Sequence, residues 1–395
     1  VNLPDATAFE LATKDLDPPL AIVDLAAFDA NADDLVRRAS KPIRVVSKSV
    51  RCRTLLERVL AKPGFRGVMS YSLAEALWLV ECGTSEDIVV AYPTVDHAAL
   101  RRLAADDRAR AAISIMVDSP EHLDVVDSAL GLEHPEIRVC LELDASWRPL
   151  RSLHVGTRRS PVFMPRQARD FAATIERRPG FRLVGMMAYE GQIAGFPDAT
   201  GGRAQSTLVQ WMQRKSAAEL LRRRGAAVHA VREVADLEFV NGGGTGSVEV
   251  TGSDASVTEI AAGSGLIGPT LFDGYTRFHP RPAALFALPV VRKPTRSIAT
   301  LFSGGYVASG PAQPSRLPSP YLPAGLKLLG LEGAGEVQTP VTGKGARSLN
   351  VGDRVWLRHA KAGELAERFT HYHLIQGDRV DQTVPTYRGE HQNFG

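Results

Sequence analysis

The chain has little of what marks several protein classes. Its 395 residues include only three cysteines, Cys52, Cys82 and Cys140, an odd number that lie far apart in core-like or helix-face contexts, so a disulfide scaffold is not expected. No apolar run approaches the roughly 18 to 20 residues that a membrane helix needs, and residues 1–15 lack a basic stretch followed by an apolar one. The expectation is a cytoplasmic protein without a membrane partner. Aromatics are sparse at 7%, and no basic stripe is interleaved with them. Lys and Arg number 47 against 44 Asp and Glu, and the one short basic cluster is Arg222-Arg223-Arg224 on an expected helix. Binding a phosphate backbone takes many clustered cations, so nucleic acid is not an expected partner. What remains, 44% hydrophobic and 23% charged residues, describes a globular chain long enough for a large barrel and a second domain.

Short β-rich runs alternate with amphipathic stretches from about residue 20 to 270. Strands are expected at 43–47, 67–70, 88–92, 113–117, 137–143, 183–189, 237–240 and 258–262, eight in all. Helices are expected at 54–61, 73–82, 120–129, 165–177 and 206–224, where apolar residues recur every three or four positions. An apolar run at 20–25 and a helix at 26–39 precede them. Parallel strands need crossovers, and closure removes sheet edges, so the pattern predicts an α/β fold with a (β/α)8 barrel. Beyond Tyr275 the texture changes to Pro and Gly punctuation with short runs at 285–291, 298–302, 351–357 and 369–376, the pattern of a β-rich domain. The expected organisation is a barrel over 17–280 and a β-rich second domain from 281–395 together with 1–16.

Two features of the barrel carry chemistry. The stretch VNGGGTGSVEV, residues 240–250, follows the seventh expected strand, and AAGSG, 261–265, ends the eighth. Small-residue loops after those two strands are a frequent phosphate site in such barrels; a flexible surface turn is the alternative reading of a lone glycine run. The first strand ends in RVVSKS, residues 44–49. A lysine at a strand's C-terminal end reaches the barrel mouth, where desolvation and a neighbouring cation favour the neutral, nucleophilic amine. A strand period of two would put Arg44 and Lys48 on one face, with Arg44 keeping the site electropositive. A phosphate site and a nucleophilic lysine together fit pyridoxal 5′-phosphate.

The runs PPLAIVDLAAFDANADDLVRRA from Pro18, RVVSKSVRC, GMMAYEGQ, VNGGGTGS, TEIAAGSG and GDRVWLRHAKAGE resemble the D-threonine aldolase and D-serine dehydratase group, and within it the amino acid deaminase/aldolase branch. The resemblance spans nearly the whole chain. It implies an alanine-racemase-type barrel with a C-terminal β domain, and a homodimer. It further implies that Lys48 bonds the cofactor's aldehyde. Gly243, Gly244 and Thr245, with Gly263 and Ser264, would hold the phosphate, Tyr189 would line the ring, and Asn241 and Arg44 would belong to the cofactor site. An arginine facing the pyridine nitrogen is expected at Arg148, with His154 or Arg158 as alternatives. Relatives place a metal-binding histidine two residues before an aspartate or cysteine; here the run is His359-Ala360-Lys361, so the second ligand is missing and a divalent metal is doubtful. Glu364 or a water would have to replace it. Without the metal, His359 is expected to act as acid or base at a substrate β-hydroxyl, with Lys361 supplying positive charge. Gln192 stands where relatives have a histidine. Tyr306, Glu336, Gln338 and the tail residues Tyr387, Arg388, Glu390 and His391 are further pocket candidates.

The function expected is a lyase of D-β-hydroxy-α-amino acids, with retro-aldol cleavage to glycine and an aldehyde ahead of dehydration to a keto acid and ammonia. An amino-acid racemase and a non-catalytic cofactor-binding protein are the rivals. The long β-rich C-terminal segment speaks against the latter.

Overall fold

A computed structural model describes residues 6–150, 152–199, 201–311 and 313–395. Eight parallel strands close into a barrel: β1 (Ile43–Val46), β2 (Phe65–Ser70), β3 (Ile88–Val90), β4 (Ile113–Val117), β5 (Ile137–Glu142), β6 (Phe181–Ala188), β7 (Phe239–Gly242) and β8 (Glu259–Ala262). They follow one another in chain order, and β8 returns to β1 through Ile260 opposite Ile43. Every strand expected in the barrel is present. The differences lie at strand ends, where loop chemistry overrides β propensity: β3 stops at Val90, leaving Tyr92 in the following loop, and β7 runs on to Gly242. Strands such as β4, ISIMV, are buried along their whole length, as expected for a parallel sheet covered by helices. Met69, Val89, Met116, Cys140, Met187, Phe239 and Ala261 meet in the barrel's core.

Helices fill the crossovers. Leu73–Glu81 begins at Ser72, whose hydroxyl accepts the Glu75 N–H, and Pro165–Arg177 starts with proline at its first position. The helix expected at 206–224 extends over Arg203–Arg232. A two-stranded hairpin, Trp147–Leu150 with Leu153–Val155, interrupts the connection from β5 to β6 and was not expected from sequence.

A separate nine-stranded sheet holds the β-rich part. Its long central strand Ala284–Thr295 pairs antiparallel with Ile298–Phe302, Arg354–Arg358 and Leu20–Asp24. The apolar run at 20–25 is therefore a strand of this sheet, with Ile22 opposite both Leu285 and His373. Phe9, Ile22, Leu285, Leu322 and Trp356 form its core, and the Trp356 indole N–H donates to Glu10 at 2.7 Å. The described residues form two compact units: those within 1–33, 49–55 and 264–393 make one, and those within 34–48, 56–263 and 394–395 the other. Among the described residues no helix is long and apolar enough to cross a membrane.

Candidate active site

Strand β1 ends at Val46, and a single 3-10 turn, Ser47–Ser49, carries Lys48. The Ser47 hydroxyl donates to the Met69 carbonyl of β2 at 3.1 Å, fixing the turn against its neighbour. Because Lys48 lies beyond the strand, the period-two argument linking it to Arg44 lapses. Arg44 points into the barrel between two carboxylates, Glu259 at the start of β8 and Asp87 just before β3. Its Nε and Nη2 donate to Glu259 at 2.7 and 2.9 Å, its Nη1 to Asp87 at 2.7 Å, and its guanidinium lies 5.3 Å over the Phe239 ring. These partners neutralise Arg44, which departs from its expected electropositive role at the mouth. Asn241 belongs to the same layer, donating to Glu259 at 2.9 Å.

The Lys48 amine instead meets Tyr92, with Nζ 2.6 Å from the phenol oxygen. Arg159 caps this pair, its guanidinium 5.4 Å from the Tyr92 ring centre and 5.1 Å from that of Tyr189. Glu142, the last residue of β5, is 4% exposed and no hydrogen bond to its carboxylate is found among the described residues. Burial, against the pull of Arg159 and reinforced by Asp118 and Asp144, pushes its carboxyl up to about 7. Lys48, Tyr92, Arg159, Tyr189 and Glu142 thus cluster where active sites of this barrel class lie, at or just beyond the C-terminal ends of the strands.

The arginine at this cluster is Arg159; Arg148 was the one expected to face the pyridine nitrogen. Arg148 bonds the Asp144 carboxylate and lies 4.2 Å over Phe163, while the alternative His154 holds the Thr157 carbonyl at 2.9 Å and Arg158 is exposed. Tyr92, Arg159 and Glu142 were not singled out from sequence. Glu142 could have been, as an acidic residue ending an otherwise apolar strand; Tyr92 and Arg159 sit in loops whose course no periodicity reveals.

The glycine loop follows β7 as expected. Gly243 adopts φ +84°, a conformation that favours glycine. Its N–H donates to Glu190 at 3.1 Å, and the Gly244 N–H donates to the Ser247 hydroxyl at 3.2 Å, so two backbone donors expected to meet a phosphate already have partners. Glu190 also receives the hydroxyls of Ser247, at 3.3 Å, and Thr251, and lies 3.5 Å from Arg224, which bonds Asp254 at 2.7 Å. A Cβ on Gly244 would come within 2.9 Å of the Ala194 Cβ and 3.3 Å of Tyr189, so only glycine lets this loop approach both. Thr245 opens the 3-10 turn Thr245–Ser247, and Gly263 follows β8. Ser264 begins a turn of the other compact unit.

Gln192, expected near substrate, spends its amide N–H groups on the Ala145 carbonyl and the Ser216 hydroxyl, both at 2.8 Å. In the β-rich unit, His359 is 4% exposed. Neither of its ring nitrogens makes a well-formed hydrogen bond, the Ala284 backbone being only a weak partner. Burial and the adjacent Arg358 hold the imidazole down to about 3, so it is neutral. Lys361 donates to the Ser309 hydroxyl at 2.8 Å, and Glu364 accepts the Ser309 N–H at 2.9 Å. Tyr306 bonds Ser303 at 3.0 Å and packs on Phe286 and Phe369. Glu336 and Gln338 are exposed. In the tail, Tyr387 is buried with its N–H on the Arg51 carbonyl, Glu390 pairs with Arg53 at 2.9 Å, and Arg388 and His391 bracket the turn between them.

The alanine racemase N-terminal domain family matches residues 23–236, more than half of the chain. The chain belongs to that family. This placement makes it an enzyme and implies pyridoxal 5′-phosphate as cofactor. The chain is 29% identical over 298 residues to a D-threonine aldolase of Arthrobacter sp., covering 73% of this chain and 72% of the relative. Its fold is similar to the crystal structure of D-threonine aldolase from Filomicrobium marinum, at a TM-score of 0.78 and 19% identity over 95% of this chain and 96% of that one. It is also similar to D-threo-3-hydroxyaspartate dehydratase from Delftia sp. HT23, with a TM-score of 0.73, 18% identity and coverage of 94% and 97%. At these identities the likeness to the solved structures is one of fold.

Proposed function

We propose that the protein is a pyridoxal 5′-phosphate-dependent lyase of D-configured β-hydroxy-α-amino acids that cleaves the Cα–Cβ bond to give glycine and an aldehyde. The observation that carries the proposal is the Lys48 amine at the end of β1, held 2.6 Å from Tyr92 at the mouth of a barrel whose β7 loop only glycine can form. This setting fits the cofactor's aldehyde and ring: Lys48 would bond it, and Tyr189 and Arg159 would flank it, whereas the Gly243 and Gly244 N–H groups of the β7 loop are held by Glu190 and Ser247 and would have to be released to meet its phosphate. When bound, the cofactor supplies an electron sink for negative charge at the substrate's α carbon.

Retro-aldol cleavage needs a base for the β-hydroxyl proton, whereas loss of that hydroxyl as water needs an acid. The buried imidazole of His359, in the β-rich unit, is neutral; burial and Arg358 make it a weak base, and its second ring nitrogen carries a proton, so it does not by itself separate the two reactions.

A divalent metal does not fit this chain's residues. His359 is followed by Ala360 and Lys361, and the Lys361 ammonium is a donor engaged with Ser309. Among the described residues no group of three or more His, Cys, Asp or Glu is placed to hold a metal. The test is a two-product assay on D-threonine and D-phenylserine, with chelator and with added manganese or zinc. Glycine and aldehyde in the presence of chelator support the proposal. Ammonia and a keto acid would replace it with the dehydratase reading. Neither product, with deuterium entering Cα of the inverted enantiomer in heavy water, would point to a racemase.

A further inference from the structure

We propose that Tyr92 is a second catalytic residue, the group that takes a proton from Lys48 when the amine must act as a nucleophile and returns it afterwards. The inference rests on the reading of Lys48 as the cofactor lysine.

The phenol oxygen lies 2.6 Å from Nζ, a short contact for this pair of groups, and the ammonium stands 5.2 Å from the Tyr92 ring centre. Tyr92 follows β3 by two residues, and Lys48 follows β1 by two; β2 lies between those strands, so the barrel itself sets the approach of the two side chains. Tyr189 reaches the same mouth but cannot substitute for Tyr92: its oxygen lies toward Gly195, where a Cβ would come within 3.2 Å of it. The charged groups facing Tyr92 are Lys48, Arg159 and Glu142. Burial alone would raise the phenol's pKa, but Lys48 and Arg159 overcome it and hold Tyr92 below its ordinary value, against the opposing charge of Glu142.

The transfer balances within the pair. One N–H bond of the Lys48 ammonium breaks with its electron pair left on nitrogen, and an O–H bond forms on the Tyr92 phenolate. Ammonium and phenolate become amine and phenol, so the pair's net charge does not change and no charge is left unpaired in the barrel mouth. The Arg159 guanidinium, 5.4 Å from the ring centre, favours the phenolate form that accepts the proton.

Tyr92→Phe keeps the ring and removes only the oxygen. Two pH curves test it: the rate at which cofactor-free protein takes up pyridoxal 5′-phosphate, followed by visible absorbance, and the acetylation of Lys48 without cofactor, followed by mass spectrometry. In the variant both curves are expected to move up by about one pH unit, a roughly tenfold loss of rate near neutral pH, with the unfolding midpoint unchanged. Unmoved curves, or a loss by the same factor at every pH, would overturn the proposal and leave Tyr92 a packing role. Wild-type protein that takes up no cofactor would overturn the lysine assignment and this proposal with it, whereas normal uptake with an unmoved Tyr92→Phe curve overturns this proposal alone. If the phenylalanine variant fails to fold, fluorotyrosine at position 92 acidifies the phenol without removing it. It is expected to displace the Lys48 acetylation curve, and an undisplaced curve overturns the proposal.

Discussion

Glu142 is the residue where burial and charge make the sharpest demand. Its carboxyl keeps a proton up to about pH 7 in the folded protein, against an ordinary value of 4.5. A carboxyl with a raised folded pKa contributes fully below pH 4.5 and loses that contribution as pH rises through about 7. The loss across that window is about 3 kcal/mol. Glu142→Gln should therefore be the more stable protein at pH 8 and show a flatter stability curve from pH 5 to 8, as measured by urea unfolding without cofactor. Equal pH slopes for the two proteins would contradict the burial argument. Gly244 makes a second demand, steric rather than electrostatic. Gly244→Ala drives a Cβ against Ala194 and Tyr189, and should weaken cofactor binding by at least roughly tenfold while leaving secondary structure intact, read by cofactor titration and circular dichroism. At this scale the place of Lys48 just past the end of β1 was legible, because a lysine closing an apolar strand is conspicuous. Tyr92 and Arg159 were not, because each sits in a loop that no periodicity places, and the Arg44 charge was misread because Glu259 and Asp87 lie far from it in sequence.

Among the elements, the loop after β7 and the helix Arg203–Arg232 act together. The basic triplet at 222–224 reads in sequence as a solvated helix face, yet two of its three arginines are buried. Arg223 holds the Asp144 and Ser146 carbonyls at 2.7 and 2.9 Å, and Arg224 lies between Glu190 and Asp254. Periodicity gives the helix but not which neighbours wait for its charged residues. Glu190 in turn receives Gly243 and Ser247, so the glycine loop's shape depends on a carboxylate that Arg224 neutralises. Arg224→Met leaves Glu190 and Asp254 buried without their cation and should cost about 3–5 kcal/mol in chemical unfolding. A cost under about 1 kcal/mol, the range of exposed pairs, would show that solvent reaches the pair.

For the whole molecule, the barrel was readable from eight apolar runs alternating with helical periods, because a closed parallel sheet imposes that rhythm on the chain. The β-rich unit was readable as a texture and not as a topology: Leu20–Asp24 reads as a lead-in to the barrel, and only its pairing with Ala284–Thr295 reveals where it belongs. The hairpin at 147–155 breaks the rhythm between β5 and β6, so the sequence did not reveal that Arg159 of this connection lies over the Tyr92 and Tyr189 rings. The account stands on one bond, between the cofactor and Lys48. Borohydride reduction of the protein purified with pyridoxal 5′-phosphate, followed by proteolysis and mass spectrometry, tests it directly. The expected result is a pyridoxyl group on the peptide containing Lys48, and none on that peptide in Lys48→Ala. A pyridoxyl group on another lysine, or none on the wild-type protein, would contradict it.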